Sequence, residues 1–123
     1  MAYHWALEKA RRQTPSFGFW IIEDRKGVWH GFALFQPLPG TDEVEIGFRL
    51  SKSSWGLGIA SEAAVRLIRH GFEVTDVPRI CAVAYLENIG SVKVLQKCGL
   101  VHRGTIAAYG FETLPFFVLD RRT

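Results

Sequence analysis

Cysteine is nearly absent from this 123-residue chain, Cys81 and Cys98 being the only two. Each sits in an apolar stretch with no CxxC and no Cys/His spacing, which argues against a disulfide scaffold or a zinc site and for two reduced core thiols. The four histidines, His4, His30, His70 and His102, are dispersed. They offer no ligand spacing and no Ser/His/Asp order, so no metal is expected and a hydrolase is disfavoured. Two nucleotide fingerprints are also missing, the GxGxxG of dinucleotide folds and the GxxxxGK[ST] of P-loops. No apolar run approaches the roughly 18 residues of a membrane span, and no charged segment leads into an apolar leader. A cytoplasmic protein without membrane contact is the expectation. Without Ser, Pro or Gln tracts or a repeat at fixed spacing, disordered linkers, solenoids and propellers drop out.

What is present fits one compact domain over residues 1–123, with 48% hydrophobic and 22% charged residues. The net charge is +3. Lys and Arg are scattered, and the pairs Arg11-Arg12 and Arg121-Arg122 lie near the ends, where solvated termini explain them as well as binding does. No nucleic-acid partner is expected.

Trp5 to Gln13 read as the tail of a helix before Pro15. Phe17–Ile22 (FGFWII) and Val28–Phe35 (VWHGFALF) flank the polar turn Glu23-Asp24-Arg25-Lys26-Gly27, a hairpin signal. Val44, Ile46, Phe48 and Leu50 alternate with Glu45, Gly47 and Arg49, the period of a strand with one apolar face. From Gly58 to Phe72 the apolar spacing becomes three and four, which predicts a helix. Arg79–Tyr85 (RICAVAY) reads as a buried strand. Asn88 is placed to cap a second helix carrying Ile89, Val92, Leu95 and Cys98, with Gly99 as its stop. Strands around Val101–Tyr109 and Phe116–Asp120 close the chain. Joined by a helix, the Val44 and Arg79 strands should be parallel with a right-handed crossover. Trp5, Trp20 and Trp29 are expected in the core or in a cleft wall.

The stretch Trp55-Gly56-Leu57-Gly58-Ile59-Ala60 joins that strand to that helix. A helix N-terminus has unpaired N–H groups and a partial positive charge, so it attracts phosphate wherever no side chain blocks the approach. Gly56 and Gly58 remove two such obstacles. Glycines at strand–helix turns also serve backbone dihedrals alone, and both readings stand at this point.

Taken together, EIGFRL, WGLGIASEAAVRLIRHGFE, RICAVAYLENIGSVKVLQKCGLVHRG and FFVLDR resemble the GNAT N-acetyltransferases, particularly the RimJ/RimL-like branch, over about Gly18 to Arg122. The resemblance implies an α/β (α+β) fold, a mixed, mostly antiparallel sheet whose central parallel pair splays to admit acetyl-CoA, with flanking helices. It implies that backbone groups of Phe48 and Leu50 pair with the pantetheine arm, and that Trp55, Gly56, Leu57, Gly58, Ile59 and Ala60 form the pyrophosphate loop, usually Q/R-x-x-G-x-G/A. Ser53 stands where the Gln or Arg would be, a departure shared by W-G-x-G members of the branch. Asn88 and Ser91 match the family's N-x-x-S. That match implies a cofactor contact for both and a proton or hydrogen bond from Ser91 to the leaving sulfur, beside the plain alternative that they cap the helix. Tyr85 and Tyr109 are available for the same task.

Transfer to an amine also requires the ammonium to lose its proton. Glu45, on the strand lining the cleft, is the candidate base, against the alternative of a surface carboxylate paired across the sheet. Glu43 and Glu87 are fallback candidates. Acetyl-CoA and a primary amine, from a protein N-terminus or a small molecule, are the expected partners. The alternative function is a catalytically weak acyl-CoA-binding or sensory module. The family's first strand and long helix have only a remnant in Met1–Gln13, which leads to an expected homodimer or strand exchange covering an exposed sheet edge.

Overall fold

A computed structural model describes residues 3–6 and 17–122. Seven strands form one sheet in the order β1-β2-β3-β4-β5-β7-β6: β1 (Tyr3–Ala6), β2 (Gly18–Asp24), β3 (Trp29–Pro37), β4 (Val44–Leu50), β5 (Arg79–Val83), β6 (Val101–Ala108) and β7 (Phe111–Asp120). Two helices interrupt it, α1 (Ile59–Val74) and α2 (Ile89–Lys97). Every pairing is antiparallel except β4 with β5. The expected mixed sheet with a central parallel pair is therefore the observed fold.

The first element differs from the sequence reading. Tyr3–Ala6 is a strand paired with β2, so Trp5 and Ala6 are extended where a helix is predicted. A four-residue segment has too little local signal to resist the ladder offered by the β2 edge. The remainder of the predicted helix, residues 7–13, lies outside the described residues.

The β2–β3 connection forms as its polar turn predicts. Asp24 accepts from the backbone N–H of Lys26 at 2.9 Å and of Val28 at 3.0 Å. Val28's N–H above all holds the Asp24 carboxyl below its usual range.

β4 is parallel to β5. β5 is antiparallel to β7 and β7 to β6, which makes β5 and β6 parallel as well. Both crossovers advance the same way along the sheet, and right-handedness puts α1 and α2 on the same face. That face carries the main core: Ile22, Ala33, Phe35, Val44, Ile46, Ile80, Ala82 and Phe117 from the sheet, with Ala63, Ala64, Leu67 and Leu95 from the helices. Gly71 lets α1 settle closely, because a Cβ there would lie 2.7 Å from the Phe35 ring and 2.8 Å from Ile80. The second face has a smaller cluster of Leu38, Cys81, Ala108, Leu114, Phe116 and Val118. Both cysteines are free, Cys81 buried and Cys98 half-buried. Burial above all pushes the Cys81 thiol up to about 12, as expected of an inert core residue. Trp20 is half-buried edge-on to His70. Trp29, predicted as core or cleft wall, is exposed, because it starts β3 where the sheet meets solvent.

Arg121 is not a solvated terminal charge. Its guanidinium donates to the carbonyls of Phe72 at 3.0 Å, Thr75 at 2.6 Å and Val77 at 2.9 Å, and lies over the Phe72 ring at 4.8 Å. It thereby satisfies carbonyls at the C-terminal end of α1 and in the loop to β5. Arg121→Met should lower folding stability by about 2–4 kcal/mol, read from the urea midpoint at unchanged slope. An unmoved midpoint would show that these bonds contribute nothing net.

Candidate active site

The parallel ladder between β4 and β5 registers one pair, Glu45 opposite Cys81. Beyond it β4 runs on through Ile46–Leu50 and β5 ends at Val83, so the strands separate toward their C-terminal ends. Backbone parity shows what β4 offers there. Ser51 donates its N–H to the His30 carbonyl of β3 at 2.9 Å, and Gly31 stands opposite Leu50. The Leu50 carbonyl, on the same peptide as that N–H, must point away from β3, and the two-residue period gives Phe48 the same direction. The N–H and C=O groups of Phe48 and Leu50 thus face the opening. The Leu50 carbonyl accepts the Trp55 indole N–H at 3.2 Å. The side chains of Phe48 and Leu50, out of the sheet plane, pack against the main core.

Two helix N-termini flank the opening. A 3₁₀ turn, Lys52–Ser54, leads from β4 to the Trp55–Gly58 loop and α1. Gly56 and Gly58 have φ of 77° and 80°, the left-handed region that glycine enters without penalty. A Cβ at either position would meet nothing within 4 Å. Gly58 is the N-cap of α1 and makes no side-chain cap, so the first N–H groups of the helix are uncovered by any local side chain. Trp55 and Leu57 are exposed, Ile59 is buried and Ala60 half-buried. On the other side, Asn88 caps α2, its Oδ1 accepting from the Ser91 N–H at 3.2 Å. Because that bond uses the Ser91 backbone, the Ser91 hydroxyl is left without a hydrogen bond among the described residues.

The loop is held from behind by a chain of side chains that the sequence keeps far apart. His30 Nε2 lies 3.2 Å from Asp24 Oδ2, and its Nδ1 lies 2.8 Å from Ser54 Oγ, which is 2.8 Å from Ser51 Oγ. The order Asp–His–Ser is that of a hydrolytic triad, yet Ser54 is only 3% exposed. Its hydroxyl is sealed from any substrate, so the chain pins the 3₁₀ turn feeding the glycine loop and supplies no nucleophile.

Glu45 lies on the second face and is 4% exposed, so it is not a surface carboxylate, although it is paired across the sheet, to Gln36 of β3. Its Oε2 accepts from the Gln36 amide at 3.0 Å and from the Tyr109 hydroxyl, and the Gln36 amide also donates to Tyr109 Oη at 3.1 Å. Burial above all raises the Glu45 carboxyl above its usual range, with the Tyr109 and Gln36 bonds opposing it. Tyr109 in turn is pushed up to about 12, first by burial and then by Glu45. Glu43 is engaged elsewhere, in a two-pronged ion pair with Arg79 at 2.9 and 2.7 Å at the start of β4. Glu87 is exposed in the loop before α2. Tyr85 is exposed and stands edge-on to Phe111 at 5.9 Å. Among the described residues no cluster of His, Cys, Asp or Glu fits a metal ion, and no helix is long and apolar enough to cross a membrane.

A buried carboxylate, a free hydroxyl and an uncovered helix N-terminus with open backbone beside it together suit acyl transfer from a phosphate-bearing donor to an amine. Gln36 is the site residue that sequence reasoning did not name, and Tyr109, named there as available for the leaving sulfur, instead places its hydroxyl on Glu45. Gln36 was within reach of pattern alone, since it stands opposite Glu45 in the β3–β4 register.

Comparison with known proteins points the same way. The model of the acetyltransferase (GNAT) domain matches residues 1–101. The FsC-acetyl coenzyme A-N(2)-transacetylase of Aspergillus fumigatus is 31% identical over 107 residues, 80% of this chain and 45% of that protein. The Bacillus subtilis protein YkkB is 28% identical over 118 residues, 92% of this chain and 67% of that one. Among solved structures, an acetyltransferase from Agrobacterium tumefaciens superimposes with a TM-score of 0.75 at 24% identity, over 85% of this chain and 61% of that one. The spermidine N-acetyltransferase of Vibrio cholerae, in complex with CoA and spermine, does so at 0.70 and 16% identity, over 86% and 66%. These structural likenesses establish a shared fold. The chain spans about half the length of the curated relatives it matches.

Proposed function

The chain belongs to the GNAT acetyltransferase family, and from that premise we propose that it carries the acetyl group of acetyl-CoA directly to a primary amine. The observation that carries this reading is the open glycine loop at the N-terminus of α1, beside a strand whose Phe48 and Leu50 backbone groups face the gap left by the single Glu45–Cys81 pair. Those backbone groups and the first amides of α1 suit the pantetheine amides and the pyrophosphate of a CoA thioester. The W-G-L-G form of the loop, with Ser53 ahead of it, supports a place in the RimJ/RimL-like branch.

Glu45 takes the proton released by the amine as its nitrogen bonds to the acetyl carbon. A buried carboxylate with a raised pKa is better matched to an amine than an ordinary one. Ser91 donates a hydrogen bond to the sulfur as the C–S bond breaks, and Asn88 holds the first turn of α2 in place. Ser91→Ala should therefore lower kcat about tenfold or more while acetyl-CoA affinity stays within about twofold, because the Asn88 cap needs only the Ser91 backbone. An unaffected kcat would remove the hydroxyl from the mechanism.

The proposal as a whole is tested by thiol release from acetyl-CoA in the presence of spermidine, an aminoglycoside, free amino acids and a short peptide with a free N-terminus. Amine-dependent release with at least one class supports transfer. Tight binding of acetyl-CoA without release on any of them would favour the acyl-CoA-binding or sensory alternative.

A further inference from the structure

Tyr109 departs from backbone expectation more sharply than any other described residue. It is the only non-glycine among them with positive φ, at 54°, and Gly110 follows at 80°. With Ala108 opposite Phe111, these two residues form the two-residue hairpin turn whose first position favours Asn, Asp or Gly. A tyrosine there is strained, and such strain persists where surrounding contacts over-determine it. The contact here is long-range. Register shifts between His102 and Thr105 and between Ile106 and Ala108 bend the β6–β7 hairpin. Ala108 packs in the second-face cluster, and the Tyr109 hydroxyl reaches Glu45, 64 residues away in sequence.

The two oxygens of Glu45 are not equivalent. Oε2 receives both donors, Tyr109 and Gln36. Oε1 receives none, and the only fully sealed side-chain oxygen or nitrogen without a partner among the described residues is Oε2 of Glu62. Oε1 of Glu45 is consequently in touch with solvent. We propose that Tyr109 is a positioning residue that clamps Oε2 of Glu45 and so leaves Oε1 aimed outward as the atom that receives the amine proton.

This inference rests on the reading of Glu45 as the base. The clamp acts on a carboxylate whose other neighbours are few. Cys81 stands opposite it on β5, Gln36 on β3, Arg49 lies farther along the same face of β4, and the Glu43–Arg79 pair closes the strand's start. The β7 residues near Cys81 on that face, Phe116 and Val118, are apolar. Removing the Tyr109 hydroxyl takes a hydrogen bond from the charged form while burial, which favours the protonated form, is retained.

Tyr109→Phe is the test. The acid limb of kcat/KM against pH is expected to move up by about one pH unit, with the high-pH plateau within about threefold of wild type and the KM for acetyl-CoA unchanged. A carbon-13 NMR titration of the Glu45 carboxyl reads the same upward shift without turnover. Tyr109→Asn, which suits the turn but lacks the reach, should show the same shift at an equal or higher melting temperature, and so separates the hydroxyl from the fold. An unmoved titration in folded Tyr109→Phe or Tyr109→Asn overturns the clamp. Glu45→Gln assayed alongside distinguishes the two levels: wild-type rates in that variant remove the base itself, whereas loss of rate there with an unmoved titration in the Tyr109 variants removes only the clamp.

Discussion

Glu45→Gln should lower kcat/KM for the amine by about 100- to 10,000-fold, the range that a well-placed general base supplies. The affinity for acetyl-CoA should be nearly unchanged, since Glu45 sits on the second face and the glycine loop lies beyond the end of β4. The acid limb expected of the wild type, displaced above the usual carboxylate range by burial of Glu45, should be missing from the variant. Misfolding is a poor explanation for such a loss. A carboxyl whose pKa is raised in the folded state contributes stability that is fully present below its unfolded pKa and is lost as pH rises through the folded one. Gln carries no such loss, so the variant should melt no earlier than wild type at neutral pH. A rate within about threefold of wild type would transfer the role to another carboxylate or to water.

The second large effect comes from a matched pair at the loop. Gly58 has a left-handed backbone and open space where a Cβ would stand. Asn and Asp both tolerate that conformation and are nearly the same size, so Gly58→Asn and Gly58→Asp share whatever backbone strain arises and differ in charge. If the α1 N-terminus holds the pyrophosphate, the Asp variant should bind acetyl-CoA at least about tenfold more weakly than the Asn variant, ~1.4 kcal/mol, with the gap narrowing as salt is added. Equal affinities would mean that the glycines serve only the turn.

Much of this arrangement is local and therefore legible in sequence. The alternation in Val44–Leu50 and the three-and-four spacing after Gly58 each reflect one element burying one face, and β4 and α1 are found where those periods place them. Asn88 and Gly99 bracket α2 as capping chemistry predicts, with Leu100 N–H returning to the Leu95 carbonyl beyond the last turn. What was hidden depends on distance along the chain. Nothing near Tyr3–Ala6 announces a strand, since its ladder partner is β2. Glu45 reads as polar on a half-apolar strand, and its burial comes from the hairpin that brings Tyr109 to it. His30 is one of four scattered histidines until the β2–β3 turn and the 3₁₀ turn bring Asp24 and Ser54 to its two ring nitrogens. Local period fixes which face a residue takes, whereas bulges and crossovers decide what it meets there.

Calorimetric titration of the folded chain with acetyl-CoA tests the site most directly. Saturable micromolar binding at one site per chain, weakened in Gly58→Asp relative to Gly58→Asn, is the predicted result. A folded chain that takes up no acetyl-CoA would contradict the assignment of the opening between β4 and β5 as a CoA thioester site.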